Sequence, residues 1–285
     1  PPVWRRAAPW VAVAVVAITV VAVVATRGGD DDGTATGDAG AFVGGDLHTL
    51  VADPSSPERL FVGGHEAAAS SADGGRIWAP VPSLRNADAM GWAFGGDTIW
   101  MGGHPGLRRS TDGGRTFEPA GGELAATDVH ALGGGGGVLY AASPGHGVLA
   151  SNDDGESWEV RSAEAGRGFM GAIVVDDQDV EHLFAPDMQA GVVESTDGGR
   201  TWRPLGSPGM AMSVAAAGDG ELIVAGGGQA ARSTDGGRTW SPLEVPEGTM
   251  VVTAASDSTL YAAVLDGDTA SIFASADGET WTPRN

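Results

Sequence analysis

A short motif recurs six times along this 285-residue chain, and its regular spacing limits the folds that the chain can adopt. Five copies follow the pattern S-x-D-x-G-x-x-W, with Phe117 in place of the tryptophan in the second, and the sixth is one residue shorter. The copies occupy residues 71–78, 110–117, 151–158, 195–202, 233–240 and 275–281. Successive serines are 38 to 44 residues apart, which is the length of one four-stranded blade of a β-propeller.

The rest of each period repeats as well, because short apolar runs occupy equivalent places before each motif serine, as in residues 60–62 and 183–185. We predict two strands, A and B, a strand C that ends at the serine, the motif as a turn, and a strand D that begins near the tryptophan. The predicted fold class is therefore all-β, a six-bladed β-propeller over residues 46–285. Residues 281–284 would supply strand D of the last blade, so we expect the ring to close without a strand exchanged between the chain ends.

The motif resembles the Asp box, or BNR repeat, which occurs in sialidases, in sortilin-like receptors and in photosystem II assembly-factor-like proteins. The segment 48–65, with Asp53-Pro54 followed by Leu60-Phe61-Val62, is similar to bacterial BNR-type glycosyl hydrolases, also called exo-sialidase-like proteins. The resemblance implies a propeller with the motifs in turns. It implies activity only weakly, since this turn occurs in proteins of unrelated function.

A sialidase of this kind would need three arginines that bind the carboxylate of the substrate, a tyrosine nucleophile with a glutamate partner, and an aspartate that acts as the acid. The chain has two tyrosines, Tyr140 and Tyr261, and both fall in predicted strand B, where we expect core residues. A mechanism with paired carboxylates stays open, and its catalytic candidates are Asp46, Asp88 and Asp128. The sequence favours a binding or assembly module over an enzyme; if the chain is an enzyme, we expect a glycoside hydrolase.

The N-terminus predicts export. Residues 7–26 carry no charge and are long enough to cross a bilayer as a helix, and Arg5 and Arg6 place the short leading side in the cytoplasm. Residues 1–27 are therefore either a single-pass membrane anchor or a signal peptide that is cleaved. Residues 28–45, rich in glycine, aspartate and threonine, predict a flexible linker. We expect a propeller outside the cytoplasm, tethered to the cell membrane or secreted if the segment is cleaved.

Histidine and methionine predict a metal site. In an antiparallel meander, the A–B and C–D loops lie on one face of the propeller and the B–C and D–A loops on the other. Five histidines fall on the face opposite the Asp boxes, which we call the histidine face: His48, His65, His104, His130 and His146. Aligned starts of strand A hold His48 and His130 in two blades, and methionine in the others: Met90, Met170, Met212 and Met250.

Imidazole and thioether together suit copper, especially Cu(I), so a subset of these residues predicts a copper site. The alternative is that the methionines only fill the narrow centre of the propeller. The chain has no cysteine, so any such site would lack thiolate. The formal net charge of −21 excludes a nucleic-acid role, and we expect a protein or glycan ligand on the histidine face.

Overall fold

The computed structural model describes residues 36–37, 40–120, 122–218 and 220–285. Six sheets follow one another along the chain, and the core of each is an antiparallel meander of consecutive strands. This arrangement confirms the predicted six-bladed, all-β propeller. Two short strands, β1 (Thr36–Gly37) and β2 (Ala41–Phe42), precede the first blade.

The strands of the blades have the following bounds. Blade 1 contains β3 (Leu47–Asp53), β4 (Ser56–Gly64), β5 (Ala68–Ser71) and β6 (Ile77–Pro80). Blade 2 contains β7 (Asp88–Gly95), β8 (Thr98–His104), β9 (Arg108–Ser110) and β10 (Glu118–Pro119). Blade 3 contains β11 (Ala131–Gly135), β12 (Val138–Ser143), β13 (Gly147–Ser151) and β14 (Glu159–Ser162). Single 3₁₀ turns, Pro82–Leu84 and Glu123–Ala126, precede blades 2 and 3.

The second half of the ring has the same plan. The short strand β15 (Gly171–Ala172) pairs in parallel with β11 of blade 3. Blade 4 contains β16 (Val174–Val175), β17 (Leu183–Asp187), β18 (Gly191–Ser195) and β19 (Arg203–Pro204). Blade 5 contains β20 (Ser213–Gly218), β21 (Glu221–Gly226), β22 (Gln229–Ser233) and β23 (Ser241–Pro242). Blade 6 contains β24 (Thr249–Ala254), β25 (Leu260–Asp266), β26 (Thr269–Ser275) and β27 (Thr282–Pro283).

The ring closes differently from our expectation. Blade 6 has its own strand D, β27, but this strand pairs only with Phe273 and Ala274 of β26. The other end of β26 pairs with the N-terminal strand β2, so the two chain ends share the outer edge of the last blade. Expecting closure without a strand from the N-terminus was therefore wrong, because β27 is only two residues long and leaves room on β26.

The predicted linker 28–45 also needs correction where the structure describes it. Strand β1 pairs with β6 on the outside of blade 1, and Ala41 and Val43 are fully buried. Small residues suggested a linker, but here small apolar side chains fit against the closing blade. Residues 40–45 therefore belong to the propeller.

Each Asp box is a turn closed by hydrogen bonds in which its serine hydroxyl and its aspartate carboxylate take part. In the fourth copy, Ser195 Oγ donates to Asp197 Oδ1 at 2.8 Å and accepts the Gly199 N–H at 2.9 Å. Asp197 Oδ1 also accepts the backbone N–H groups of Arg200 and Thr201. Because these bonds lie within one turn, the motif fixes the C–D connection of its blade, and its role is structural.

The two tyrosines lie in the core, as the sequence predicts. Tyr140 and Tyr261 are 2% and 3% exposed, and the Tyr140 hydroxyl donates to the Val180 carbonyl at 2.9 Å. Burial raises the pKa of both phenols. Neither is placed as a solvent-facing nucleophile.

The predicted anchor or signal segment, residues 1–27, lies outside the described residues. Within the part of the chain that the structure describes, no helix has the length and apolar character needed to cross a membrane.

Candidate metal-binding face

The strand pairing of blades 1 and 2 brings the predicted site residues together. Asp88 begins β7 and lies opposite His104, the last residue of β8. In blade 1, Leu47 lies opposite Gly64, which places His48 and His65 at the same end of the propeller. These residues lie in or beside the D–A and B–C connections, whereas the Asp boxes occupy C–D turns. The histidine face is therefore opposite the Asp boxes, as predicted.

The first group of potential ligands is His48, His65 and Asp88, whose ligand atoms lie within 4.8 Å of one another. His48 Nε2 is 2.8 Å from Asp88 Oδ1, and His65 Nδ1 is 3.5 Å from Asp88 Oδ2. The side chains of His48 and Asp88 are only 10% and 11% exposed, while that of His65 is 64% exposed. Asp46 lies at the rim, with Oδ2 4.0 Å from His48 Nε2.

The second group is His104, Asp128 and His130, also within 4.8 Å. His104 Nε2 is 3.0 Å from Asp128 Oδ2, and the rings of His104 and His130 meet edge to face with centroids 5.3 Å apart. His130 Nε2 is buried and has no hydrogen-bond partner among the described residues. A buried nitrogen without a partner is costly, and a metal ion would satisfy it.

Asp88 joins the two groups. Its Oδ1 faces His48, and its Oδ2 lies 3.0 Å from His104 Nδ1. A buried carboxylate between imidazoles is thus the centre of the histidine face. The sequence pointed to Asp88 only as a catalytic carboxylate, since nothing in the chain order shows that His48 and His104 contact the same side chain.

The charges of the cluster shift three pKa values. Burial alone would lower the pKa of His48, but the contact with Asp88 and the charge of Asp46 outweigh it, so the pKa is raised above 6.5. Burial would raise the pKa of Asp88, but His48 and His104 lower it overall. Burial and the neighbouring His104 lower the pKa of His130, which favours neutral imidazole, the form that binds metals.

The remaining predicted ligands lie apart from these two groups. His146 is exposed in the turn between β12 and β13. Met212 and Met250 pack against the apolar cluster between blades 1 and 6, and Met90 and Met170 are buried. The prediction that methionine sulfur binds metal therefore has no support in these contacts, and apolar packing accounts for Met212 and Met250.

The aligned positions are nevertheless equivalent in the fold. The inner strands of three blades have a register irregularity at the aligned residue, at His48, Met90 and Met250. The carbonyl oxygens of His48, Met90 and Met212 also face Gly171, all within 4.0 Å of a Cβ position there. For His48, Met90, Met212 and Met250 the repeat alignment thus located comparable backbone positions, but it did not determine where their side chains point.

Comparison with known proteins supports the repeat and the fold. The BNR/Asp-box repeat family matches residues 231–242, which contain the fifth motif. No curated protein sequence matches the chain. The fold is therefore a six-bladed β-propeller, and the family match identifies its fifth motif as a BNR/Asp-box repeat.

Solved structures of similar fold come from proteins with different roles. The GH74 xyloglucanase from Xanthomonas campestris matches with a TM-score of 0.59 and 17% identity over 88% of this chain and 46% of that one. YCF48 bound to D1 peptide matches with a TM-score of 0.54 and 19% identity over 88% and 84%. A chain of the nidogen/laminin complex matches with a TM-score of 0.58 and 17% identity over 76% and 88%. This chain thus spans less than half of the xyloglucanase, and at these identities the matches define the fold alone.

Proposed function

We propose that this protein is an exported, membrane-tethered binding module that holds a transition-metal ion on its histidine face. The observation that carries the proposal is the pair of groups on the histidine face, which bring together four histidines and two carboxylates from three neighbouring blades; within each group the ligand atoms lie within 4.8 Å of one another. Neighbouring histidines repel one another when they are protonated. As neutral imidazoles beside carboxylates they can instead bind a cation together.

The ligand atoms favour copper(II) over the copper(I) that a histidine–methionine ring would suit. Imidazole nitrogen and carboxylate oxygen are borderline to hard ligands, and copper(II) binds such sets most tightly among the divalent first-row ions. Zinc is the nearest competitor, because it accepts the same ligands. We therefore propose copper(II) as the preferred ion, without a methionine ligand.

A metal titration of the purified full-length chain tests this function. We expect Cu²⁺ to bind with a dissociation constant below micromolar, and His48→Ala to weaken binding at least tenfold. His146→Ala is the matched control, since His146 is an exposed histidine on the same face outside both groups. Binding no tighter than micromolar, or equal losses in the two variants, would refute the metal function.

The membrane tether rests on the composition of residues 7–26 and on the flanking arginines. Fractionation of cells that produce the full chain, beside a variant lacking residues 1–27, tests it. We expect the full chain in the membrane fraction, resistant to carbonate extraction, and accessible to external protease. Recovery of the chain in the cytoplasm would contradict export.

A protein or glycan ligand is the proposed partner, and the exposed rim of the histidine face is the proposed contact. The similar fold of YCF48 bound to D1 peptide supports a peptide-binding role for a propeller of this kind. The exposed side chains of Asp46 and His146, which lie outside the two groups of potential ligands, are available for such a contact.

Glycoside hydrolysis is the second candidate, because Asp46, Asp88 and Asp128 all lie on the histidine face and the GH74 xyloglucanase has a similar fold. Asp88 is a poor general acid, since a carboxylic acid in that role needs a raised pKa and the pKa of Asp88 is lowered. It would have to act as base or nucleophile. Turnover of a glycoside panel that is lost in Asp88→Asn and retained in His146→Ala would establish the enzyme and refute the binding role.

A further inference from the structure

We infer that the histidine face holds two separate metal ions, coupled through Asp88, rather than one. The inference rests on the proposed function and adds stoichiometry and coupling to it. Site 1 consists of His48, His65 and Asp88, and site 2 of His104, Asp128 and His130.

The spacing of ligand atoms within each group fits one bound ion. Metal–nitrogen and metal–oxygen distances of about 2.0–2.2 Å in a tetrahedral site place neighbouring ligand atoms roughly 3.3–3.6 Å apart. The contacts to Asp88 in site 1 are 2.8 Å and 3.5 Å, and the His104–Asp128 contact in site 2 is 3.0 Å. Small side-chain shifts would therefore admit an ion to each group.

One shared ion does not fit, because an imidazole separates the groups. His104 Nδ1 faces Asp88 at 3.0 Å, and His104 Nε2 faces Asp128 at 3.0 Å. The two nitrogens of one ring point in diverging directions and cannot bind the same ion. An ion between Asp128 and His130 therefore lies across the ring from Asp88.

Asp88 has a different role in each site. In site 1 it is a ligand, adjacent to His48. In site 2 it accepts the Nδ1–H of His104, the arrangement that fixes the orientation of a metal-binding imidazole and raises its basicity. Asp88 is thus a positioning residue for an ion that it does not touch. Losing such a partner weakens metal affinity about 10- to 100-fold.

The sites differ in exposure. In site 1 two of the three ligands, His48 and Asp88, are about one-tenth exposed and only His65, at 64%, is open to solvent. In site 2 the side chains of His104 and Asp128 are 44% and 50% exposed, and His130 is partly buried. Buried side chains are held in place by their neighbours, so binding orders less of site 1. We therefore expect site 1 to bind its ion more tightly.

The test is a Cu²⁺ titration of the full chain, with bound metal counted by native mass spectrometry and inductively coupled plasma analysis. The wild type should bind two ions of unequal affinity. His48→Ala should lose the tighter ion and leave the affinity of the other within about threefold. His130→Ala should lose the weaker ion. His146→Ala should bind both as the wild type does.

Asp88→Asn separates coupling from simple ligand loss. It should lose the tighter ion and also weaken the remaining one 10- to 100-fold. An unchanged second affinity would refute the coupling. A single ion in the wild type would refute the two-site inference while leaving the metal function intact, whereas no binding at all would refute the proposed function itself. The wild-type stoichiometry and the two histidine variants decide the matter even if Asp88→Asn does not fold.

Discussion

Removing the hydroxyl group of one Asp-box serine should destabilise the whole propeller. Ser195 is 2% exposed, and its Oγ donates to Asp197 Oδ1 at 2.8 Å while accepting the buried Gly199 N–H at 2.9 Å. Ser195→Ala deletes both bonds, together with a longer one of 3.3 Å from the Asp197 N–H, and leaves the size of the side chain nearly unchanged. The variant therefore isolates hydrogen bonding from packing.

The size of the expected loss of stability follows from the two shorter hydrogen bonds. A hydrogen bond to a charged group contributes about 1.5–3 kcal/mol, and a buried N–H left without a partner costs about 1–3 kcal/mol. Because the two bonds share one atom, their effects overlap and do not simply add. We expect Ser195→Ala to lower the free energy of unfolding by roughly 2–4 kcal/mol.

Thr201 provides a matched control within the same turn. Its Oγ1 donates to Asp197 Oδ2 at 2.6 Å, but this bond is exposed, so water replaces the lost hydroxyl. Thr201→Ala should cost under about 1 kcal/mol.

Urea unfolding of the full chain, followed by tryptophan fluorescence, measures both variants. If Ser195→Ala lowers the free energy of unfolding no more than Thr201→Ala does, the serine does not stabilise the turn. Our interpretation of the Asp box as a structural turn would then be wrong.

Three further perturbations test closure, backbone strain and acid stability. Val43→Ala should lower the free energy of unfolding in urea by about 1–3 kcal/mol, because Val43 is fully buried beside the closing strand. A change under about 0.5 kcal/mol would mean that residues 40–45 do not unfold cooperatively with the propeller. Asp154 has φ +58° where most other Asp boxes have glycine, so Asp154→Gly should raise the melting temperature, and a lower one would contradict strain at this position. The pKa of Asp153, Asp197 and Asp235 is lowered to about 2, for Asp197 despite burial and for all three through hydrogen bonds to the ionised form. The stabilisation that the ionised aspartates provide is complete above their unfolded-state pKa near 4 and is lost as the pH falls through 2. The triple Asn variant should therefore lose less stability than the wild type between pH 5 and pH 2. Parallel pH profiles of the two proteins would refute this.

Repetition made most of the fold predictable. Six copies of one motif at a nearly constant period determine the number of blades, and apolar runs at fixed offsets determine the strands. The same meander rule assigns His65 and His104 to the face opposite the Asp boxes, because loop position in a blade depends only on strand order.

Closure was not predictable in the same way. Strand β2 is only two residues long, and its pairing with β26 joins residues more than two hundred positions apart. No local pattern encodes a strand this short. Its composition, small residues next to glycine, is also that of a flexible linker.

The sequence by itself determined the class of this protein: a chain of repeats, each with a turn that satisfies its own backbone groups, folds into a ring of blades. The tertiary structure alone decided which histidines contact one another, and it selected Asp88 as the carboxylate between His48 and His104. The physical reason is the range of the interactions. Turn hydrogen bonds connect residues two to four positions apart, whereas the two histidine–carboxylate groups form between side chains from different blades. The orientation of these side chains depends on how the blades pack.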